Sequence, residues 1–207
     1  MIERYWSRFA DTYDRNQLYV VGQEILDLIK MELDGLPELG AVLELGCGTG
    51  YFTKAIAEKS TNVLATDLSD SLLMAAKKRL VDHPNVTVQK ENCMGTSFSS
   101  GAFDCVIMAN LIHVVESPSA VLQECHRILT DGGILVIATY TGHGMKLWDK
   151  IKMGVRFSRT WGKPPEHTHS FSPEDLASMM EEAGFSVETS QLIGARTKAL
   201  YAIGKKT

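Results

Sequence analysis

Residues 42–50 join a short apolar run to a turn that contains three alternating glycines, Gly46, Gly48 and Gly50. The apolar residues 42–45 are typical of a strand that is buried on both faces of a parallel sheet. Glycine suits the turn that follows, because a Cβ would obstruct both a tight bend and the close approach of the backbone to a ligand. The pattern therefore predicts a buried strand that ends at a ligand-binding turn.

The spacing of these glycines distinguishes between two kinds of cofactor. A dinucleotide-binding turn would read G-x-G-x-x-G, with its third glycine at position 51. That position is Tyr51, and the segment instead reads E-x-G-x-G-x-G from Glu44 to Gly50. Helical spacing over 51–58 predicts that the turn leads into a helix, whose first N–H groups can bind an anion. The spacing thus disfavours an NAD(P)-dependent oxidoreductase.

The E-x-G-x-G-x-G segment resembles motif I of the class I S-adenosylmethionine (SAM)-dependent methyltransferases. In that family the loop cradles the amino-acid end of SAM. The resemblance implies that the cofactor-binding residues of this loop are Glu44, Gly46, Cys47, Gly48 and Gly50.

An acidic residue follows the next predicted strand. This strand covers 62–66, and Asp67 ends it about twenty positions after Gly46, where a carboxylate can accept hydrogen bonds from both hydroxyls of a ribose. The alternative is that Asp67 only caps the following helix. Ser69 is the better cap, because an amphipathic run with basic residues at its end begins there. We therefore expect Asp67, with the adjacent Leu68, to bind the cofactor.

A third predicted strand, 86–90, leads to Asn92, Cys93 and Met94. The family often carries an aspartate at the position of Asn92, where it binds the adenine amino group. An asparagine side-chain oxygen can still accept that hydrogen bond. The resemblance implies that these three residues surround the adenine, and the alternative is an ordinary loop asparagine.

The segment 102–115 looks like motif IV of these enzymes. Its strand ends near Ala109 and Asn110, which the resemblance places beside the sulfonium of SAM. His113 is the candidate general base, since an imidazole can take up a proton near pH 7. A packed turn is the alternative setting for His113. A turn at 130–133 and a strand over 134–139 are expected to follow.

The alternation of strands and helices predicts an α/β fold with a doubly wound sheet. Two final strands, 185–193 and 195–203, are predicted to form a hairpin. The family resemblance implies a seven-stranded, mostly parallel, Rossmann-like sheet with this hairpin antiparallel at one edge. We expect one methyltransferase domain over 1–207, with an amino-terminal helical cap at 1–35.

Composition limits the partners of the chain. The net charge of −4 gives no overall basic surface for nucleic acid, so none is expected. The four cysteines are scattered, His167 and His169 lack companion ligands at metal-binding spacing, and no metal is expected. The chain has no long apolar run and its start does not resemble a signal peptide, so we expect a soluble, cytoplasmic protein. No oligomeric state is indicated.

The amino-terminal segment contains F-A-x-x-Y-D, which ends at Tyr13 and Asp14. Similar segments in small methyltransferases fold over the cofactor, and their tyrosine often faces its methionine end. The resemblance implies such a role for Tyr13. The alternative is that these aromatic residues only anchor a single helix whose apolar stripe runs from Leu18 to Ile29.

The segment 141–170 has no place in the core pattern. It holds six lysines and arginines against two acids. The residues leave three interpretations open: a lid over the cleft, a basic amphipathic surface at 145–163 that contacts membrane transiently, or an ordinary packing helix. The last would bury a stripe that comprises Leu147, Trp148, Ile151 and Val155.

Together these patterns predict a SAM-dependent methyltransferase that acts on a small-molecule acceptor by in-line displacement. The alternatives are a non-catalytic SAM-binding module and the disfavoured NAD(P)-dependent oxidoreductase. Within the methyltransferase class, a lipid or quinone-like acceptor at a membrane surface is a further alternative. The fold alone does not identify the acceptor.

Overall fold

A computed structural model describes residues 2–207 of the protein. Its seven strands are Leu39–Leu45 (β1), Ser60–Asp67 (β2), Val86–Lys90 (β3), Phe103–Ala109 (β4), Leu129–Thr141 (β5), Phe185–Ile193 (β6) and Lys198–Lys206 (β7). The α-helices of these residues are Ile2–Ser7 (α1), Tyr13–Val21 (α2), Gln23–Asp34 (α3), Thr53–Glu58 (α4), Asp70–Arg79 (α5), Pro118–Ile128 (α6), Leu147–Trp161 (α7) and Pro173–Glu182 (α8). Short 3₁₀ helices lie at Ala10–Thr12 and Ile112–Val114.

The strands form one seven-stranded sheet in the order β3-β2-β1-β4-β5-β7-β6. The first five strands of this order are parallel, and β7 pairs antiparallel with both β5 and β6. The predicted α/β fold, with its mostly parallel sheet and its antiparallel carboxyl-terminal hairpin, is confirmed.

Apolar side chains of successive strand residues point to opposite faces of the sheet. Val42 packs into one hydrophobic cluster with α3, α4 and α5, whereas Leu43 packs into a second cluster with α6 and α8. Ile107 and Met108 of β4 divide in the same way. Because both faces are covered, the central strands are apolar almost throughout.

The strand order reverses between β1 and β4. The connection from β1 leads to β2 on one side, whereas β4 lies on the other side and leads outward to β5. The loops after β1 and β4 therefore separate, and a crevice opens beyond the carboxyl ends of the two strands. The glycine turn and the Ala109–Asn110 segment border this crevice.

The prediction of a separate turn at 130–133 is wrong, because these residues belong to β5. Leu129 pairs with Phe103 and Ile134 with Cys105, so the extra residues form an irregularity within the strand. Gly132 has a φ of +74° there. The strand thus begins before the predicted turn and extends to Thr141.

Two other boundaries differ from their predictions because of glycines with positive φ. The final strand begins at Lys198 instead of Ala195, because the turn that starts at Gly194 (φ +91°) takes up the intervening residues. The predicted single amino-terminal helix is wrong, since Gly22 (φ +89°) separates α2 from α3. Helix α4 starts at Thr53, two residues after the predicted start.

Helices α1, α2 and α7 lie outside the sheet layers and come together. The hydroxyl of Tyr5 in α1 donates to the backbone carbonyl of Trp161 in α7 at 3.2 Å. The rings of Trp6 and Trp161 pack edge to face with their centroids 5.6 Å apart. The division into a cap, a core and an insertion stays a prediction. Within residues 2–207, no helix combines the length and the apolar character that a membrane span requires.

Candidate active site

A large cavity opens at the carboxyl ends of β1, β2 and β4. Its volume is about 1630 Å³, above the 300–1,000 Å³ that is usual for one drug-sized ligand. The cavity therefore has room for two molecules side by side. Among its walls are the following predicted site residues: Tyr13, Gly46, Gly48, Asp67, Leu68, Asn92, Cys93, Met94, Ala109, Asn110 and His113.

The glycine turn has the backbone geometry that its sequence predicts. Gly46, Gly48 and Gly50 have φ values of +71°, +56° and +76°, which side chains other than glycine rarely adopt. A Cβ on Gly46 would lie 2.8 Å from a methyl group of Leu111, and one on Gly50 would lie 2.9 Å from Leu80. A Cβ on Gly48 would meet no described atom within 4 Å. Gly48 thus faces open space at the cavity wall, whereas Gly50 faces the protein.

Several amide groups of the turn are engaged within the protein. The N–H of Cys47 donates to the Thr66 carbonyl at 2.8 Å, and that of Gly50 to the Cys47 carbonyl at 2.9 Å. The N–H of Gly48 donates to Oδ2 of Asp67 at 3.0 Å. These bonds fix the shape of the turn, and they leave these three donors unavailable to an anion.

Asp67 ends β2 and lines the cavity. Its second oxygen, Oδ1, accepts from the Ser69 N–H at 2.8 Å. Burial raises the pKa of the Asp67 carboxyl above its ordinary value, against the lowering effect of the hydrogen bonds from Ser69 and Gly48. As predicted, Ser69 caps α5, since its side chain accepts from the Leu72 N–H at 3.3 Å. Asp67 is thus free of the capping role.

Glu44 lies behind the turn rather than in the cavity wall. It is 1% exposed, and its Oε2 accepts a hydrogen bond from the Thr53 hydroxyl at 2.6 Å. Burial raises the pKa of Glu44 to about 7, opposed by this hydrogen bond. Glu44 does not line the large cavity, because its carboxyl joins β1 to the start of α4. Its predicted contact with the cofactor stays a prediction.

Cys47 and Gly50 also do not line the large cavity, and their predicted contacts with the cofactor stay predictions. Cys47 borders only a small void of about 30 Å³ beside the turn, and its burial raises the pKa of the thiol far above the ordinary value. Gly50 packs against Leu80 of the segment after α5. Both residues support the turn and do not line the large cavity among the described residues.

Asn92 has an ordered local partner. Its Oδ1 accepts from the Met94 N–H at 3.1 Å, and its own N–H donates to the Glu91 carboxylate at 3.0 Å. An amide oxygen has two lone pairs, so Oδ1 can accept a second hydrogen bond from a ligand. Burial raises the pKa of the neighbouring Cys93 to about 11, so this thiol is protonated near neutral pH.

Asn110 follows β4 with a φ of +61° and is the non-glycine residue with positive φ in the described chain. Asparagine tolerates this conformation better than most residues. Its N–H donates to the Ala138 carbonyl at 2.7 Å, which fixes the turn against β5. Both polar atoms of its side chain are buried, and neither has a hydrogen-bond partner of ordinary geometry among the described residues. Such an amide is a rare and costly feature, and it lies at the cavity wall.

His113 lies in the cavity wall with one ring nitrogen engaged. Its Nδ1 is 2.7 Å from the Thr139 hydroxyl, and its backbone carbonyl accepts from the His169 N–H at 2.8 Å. Burial, with a smaller contribution from His169, lowers the pKa of His113 to about 4. The imidazole is therefore neutral at pH 7 and is a weaker base than an ordinary histidine. This result disfavours general-base catalysis and suits a positioning role.

Tyr13 lies in an aromatic group on the α1 and α7 side of the cavity. Its ring centroid is 5.8 Å from that of Trp6 and 6.1 Å from that of Trp161. Burial raises the pKa of the Tyr13 hydroxyl, helped by the negative charge of Asp67, so the hydroxyl stays protonated. Tyr13 can donate a hydrogen bond but cannot act as a base near neutral pH.

The residue after Tyr13 makes contacts that the sequence patterns did not reveal. Asp14 accepts from the Thr49 hydroxyl at 2.6 Å and from the guanidinium of Arg79. Arg79 also donates to the Thr49 carbonyl at 3.0 Å. These bonds attach the amino-terminal segment to the glycine turn and to α5. The Y-D dipeptide was the available signal, but its partners lie 35 and 65 positions away.

A second unpredicted pair joins α2 to β5. The side-chain amide of Gln17 donates to the Tyr140 hydroxyl at 3.0 Å, and both residues line the cavity. Burial raises the pKa of Tyr140 well above its ordinary value. The pair fixes α2 over the site. Across residues 2–207, no group of three or more histidine, cysteine or acidic side chains has a metal-binding arrangement.

Residues 13–190 match the family model described as a methyltransferase domain. This match covers most of the chain, which therefore belongs to that family, the class I SAM-dependent methyltransferases. The family assignment agrees with the order of the sheet and with the position of the cavity.

Individual relatives are distant. The chain is 26% identical over 149 residues to a probable S-adenosylmethionine-dependent methyltransferase of Mycolicibacterium smegmatis, with 71% of this chain and 52% of that protein covered. It is 26% identical over 157 residues to a ubiquinone biosynthesis O-methyltransferase of Pseudomonas aeruginosa, with 71% and 65% covered. The chain thus spans less than two thirds of each of these relatives.

A crystal structure from Thermotoga maritima has a similar fold. It is described as a SAM-dependent methyltransferase, possible histamine N-methyltransferase, and superimposes with a TM-score of 0.75. The identity is 23%, and 99% of each chain is covered. At this level of sequence identity, the similarity shows only that the two proteins share a fold.

Proposed function

We propose that this protein binds SAM and transfers its methyl group to a small-molecule acceptor. The observation that carries the proposal is the position of Asp67, which holds the glycine turn through the Gly48 N–H and also lines the cavity. A carboxylate at the end of the second strand, next to a glycine turn at the end of the first, suits a ribose and the group attached to it.

The residues present fit the proposed cofactor. Gly48 leaves the cavity wall open where a side chain would stand. Asp67 retains lone pairs for ribose hydroxyls, and Asn92 retains one for the adenine amino group. The Asn110 amide, which makes no hydrogen bond of ordinary geometry within residues 2–207, supplies a donor and an acceptor close to the same wall. We assign Leu68, Cys93, Met94 and Ala109 to the walls around the nucleoside and the methionine end.

When bound, SAM supplies an activated methyl group on a sulfonium. The protein then has to orient the acceptor and exclude water, and orientation alone can contribute several kcal/mol. The low pKa of His113 and the high pKa of Tyr13 favour two neutral side chains that position the acceptor by hydrogen bonds. An acceptor that begins protonated would have to lose its proton to another group or to solvent.

The acceptor side of the cavity favours a molecule with an apolar or aromatic body. Aromatic side chains line the cavity where α1 and α7 meet, and Met153 lies beside them. The volume beyond the needs of one ligand lets such an acceptor enter alongside the cofactor.

Two alternative functions predict different ligands. An NAD(P)-dependent oxidoreductase lacks support, because Tyr51 occupies the third glycine position of the dinucleotide pattern. A non-catalytic SAM-binding module would share the cofactor site and differ only in turnover.

Isothermal titration calorimetry with SAM, S-adenosylhomocysteine and NAD⁺ tests the cofactor. We expect the first two to bind and NAD⁺ to give no heat of binding. Binding of NAD⁺ without SAM would overturn the proposal. Release of S-adenosylhomocysteine is then measured with a panel of phenols, amines and lipophilic quinols. SAM binding without release over background for any acceptor would favour the non-catalytic alternative.

A further inference from the structure

Helix α7 presents an apolar stripe to solvent. Leu147, Ile151 and Val155 are spaced four residues apart and so lie along one side of the helix, with Trp148 next to them. These side chains are 70%, 45%, 44% and 73% exposed in that order. We call these four residues the outer face. An apolar patch of this kind on a helix marks an interaction surface.

Packing of α7 against the core does not explain the apolar residues of the outer face. Met153, Phe157 and Trp161 form a second stripe at the same spacing, about a third of a turn away. This inner stripe packs against the hydrophobic cluster under α1 and α2 and lines the cavity. The interpretation of 147–155 as a buried packing stripe is therefore wrong, because the inner stripe attaches the helix.

Positive charge borders the outer face. Lys152 and Arg159 project next to Trp148 on the side away from the inner stripe, and both are exposed. Arg156 is also exposed but lies further round the helix, toward α2. The guanidinium of Arg156 lies over the ring of Tyr19, 5.6 Å from its centroid, and Tyr19 is itself exposed. The cationic border occurs in a chain whose net charge is −4.

We propose that the outer face of α7 docks on the surface of an anionic phospholipid bilayer. Leucine, isoleucine, valine and tryptophan side chains enter the boundary between headgroups and acyl chains, while the flanking cations contact lipid phosphates. The 15 residues of α7 are too few and too charged to span a bilayer. The helix therefore lies in the plane of the surface.

The pattern of charge favours a bilayer over a protein partner. The centre of a protein–protein interface is depleted in lysine, whereas a bilayer attracts lysines and arginines beside an apolar stripe. Docking would also bring the inner stripe, and the cavity wall that it forms, close to the lipid. If the methyltransferase function holds, this arrangement would let a lipophilic acceptor enter from the bilayer, a consequence that rests on the proposed function.

Co-sedimentation with vesicles tests the docking surface. The full chain is mixed with vesicles of phosphatidylcholine alone or of phosphatidylcholine with phosphatidylglycerol. We expect binding to the anionic vesicles, weakened by added salt because the charges are exposed. Trp148 should shift its fluorescence emission to shorter wavelength on binding, and a Trp148→Phe variant should lose this shift while Trp6 and Trp161 remain.

Paired variants separate the apolar and the cationic contributions. Leu147→Ser with Trp148→Ser should weaken binding at least about tenfold through lost apolar burial. Lys152→Gln and Arg159→Gln should weaken it together by about 25-fold, at about fivefold for each basic residue near the surface. The matched controls, which should bind normally, are Met31→Ser with Val81→Ser, and Lys77→Gln with Lys78→Gln, all at exposed positions on other elements.

Three outcomes would overturn the proposal. One is no preference for anionic over neutral vesicles, and another is an equal loss of binding in the control variants. The third is a dimer in sedimentation velocity that Trp148→Ser dissociates, since a second copy would then cover the outer face. Vesicle binding requires no cofactor, so its failure would leave the SAM titration unaffected, and the reverse also holds.

Discussion

The backbone N–H of Gly48 donates to Oδ2 of Asp67 across 3.0 Å. The acid at the end of β2 thereby fixes the turn at the end of β1. Its other oxygen accepts from Ser69, and each oxygen keeps a lone pair that a ligand in the cavity can use. A single side chain thus sets the geometry of the turn and takes part in the proposed recognition of the ribose.

Asp67→Asn should weaken SAM binding by about 10- to 100-fold, because hydrogen bonds to a charged group contribute about 1.5–3 kcal/mol each. The amide keeps one acceptor oxygen but loses the second and the charge. Calorimetry measures the dissociation constant, with Asp82→Asn at an exposed position as the control. A dissociation constant within twofold of the native value would remove Asp67 from the proposed site.

The contact between Asp14 and Arg79 should contribute a measurable coupling to stability. Both side chains are about a third exposed, so solvent screening limits the expected coupling free energy to about 1 kcal/mol. Urea unfolding of Asp14→Ala, Arg79→Ala and the double variant gives this value from a double-mutant cycle. Strictly additive losses would show that the two side chains act independently.

Glu44 should make the protein less stable as the pH rises. Its pKa is about 7 when folded, against an ordinary value of 4.5, so the folded state holds the proton more tightly. The stabilisation is present in full below about pH 4.5 and is lost as the pH rises through 7, by up to about 3 kcal/mol. Glu44→Gln should flatten the free energy of unfolding between pH 5 and 8. An unchanged slope in urea titrations would contradict this assignment.

His113 should have the opposite effect on the pH dependence of stability, and this effect falls at acidic pH. Its pKa is about 4 when folded, against 6.5 ordinarily, so the unfolded chain binds the proton more tightly. The stabilisation is present above about pH 6.5 and is lost as the pH falls through 4. His113→Gln should reduce the loss of thermal stability between pH 6.5 and 4.5. If both proteins lose the same stability over that range, burial of this imidazole is not the cause.

Gly154→Ala should stabilise α7 by up to about 1 kcal/mol, because alanine loses less backbone entropy in a helix. A Cβ at this position meets no described atom within 4 Å. Gly50→Ala is the matched contrast and should destabilise by more than that, since its φ is +76° and its Cβ would lie 2.9 Å from Leu80. Thermal unfolding of both variants checks the two signs.

The sequence predicts best the features that depend on neighbouring residues. The glycine turn, the cap at Ser69 and the strand that ends at Asp67 are each set by a few consecutive side chains. The alternation of strands and helices predicts the doubly wound sheet for the same reason. Family resemblance adds the antiparallel hairpin, which spacing alone does not place within the sheet.

Features that depend on distant contacts were not predicted. The sequence spacing of Asp14 and Arg79 gives no sign of their contact, and the pairing of Gln17 with Tyr140 depends on how α2 lies over β5. Glu44 matches the family motif, yet its carboxylate accepts a hydrogen bond from the Thr53 hydroxyl. In the sequence, the apolar residues of α7 are compatible with either a packed or an exposed stripe. Only the position of Trp161 in the structure shows which side of the helix packs against the core.

The hydrogen bond from Tyr5 to Trp161 joins two parts of the chain that are 156 positions apart. Tyr5 and Trp161 belong to helices outside the sheet, and both residues line the cavity. Neither helix pairs with a strand, so a displacement of the two helices would leave the pairing of the sheet intact. If the cavity opened in this way, the cost would be that of a local opening, which lies below the free energy of global unfolding.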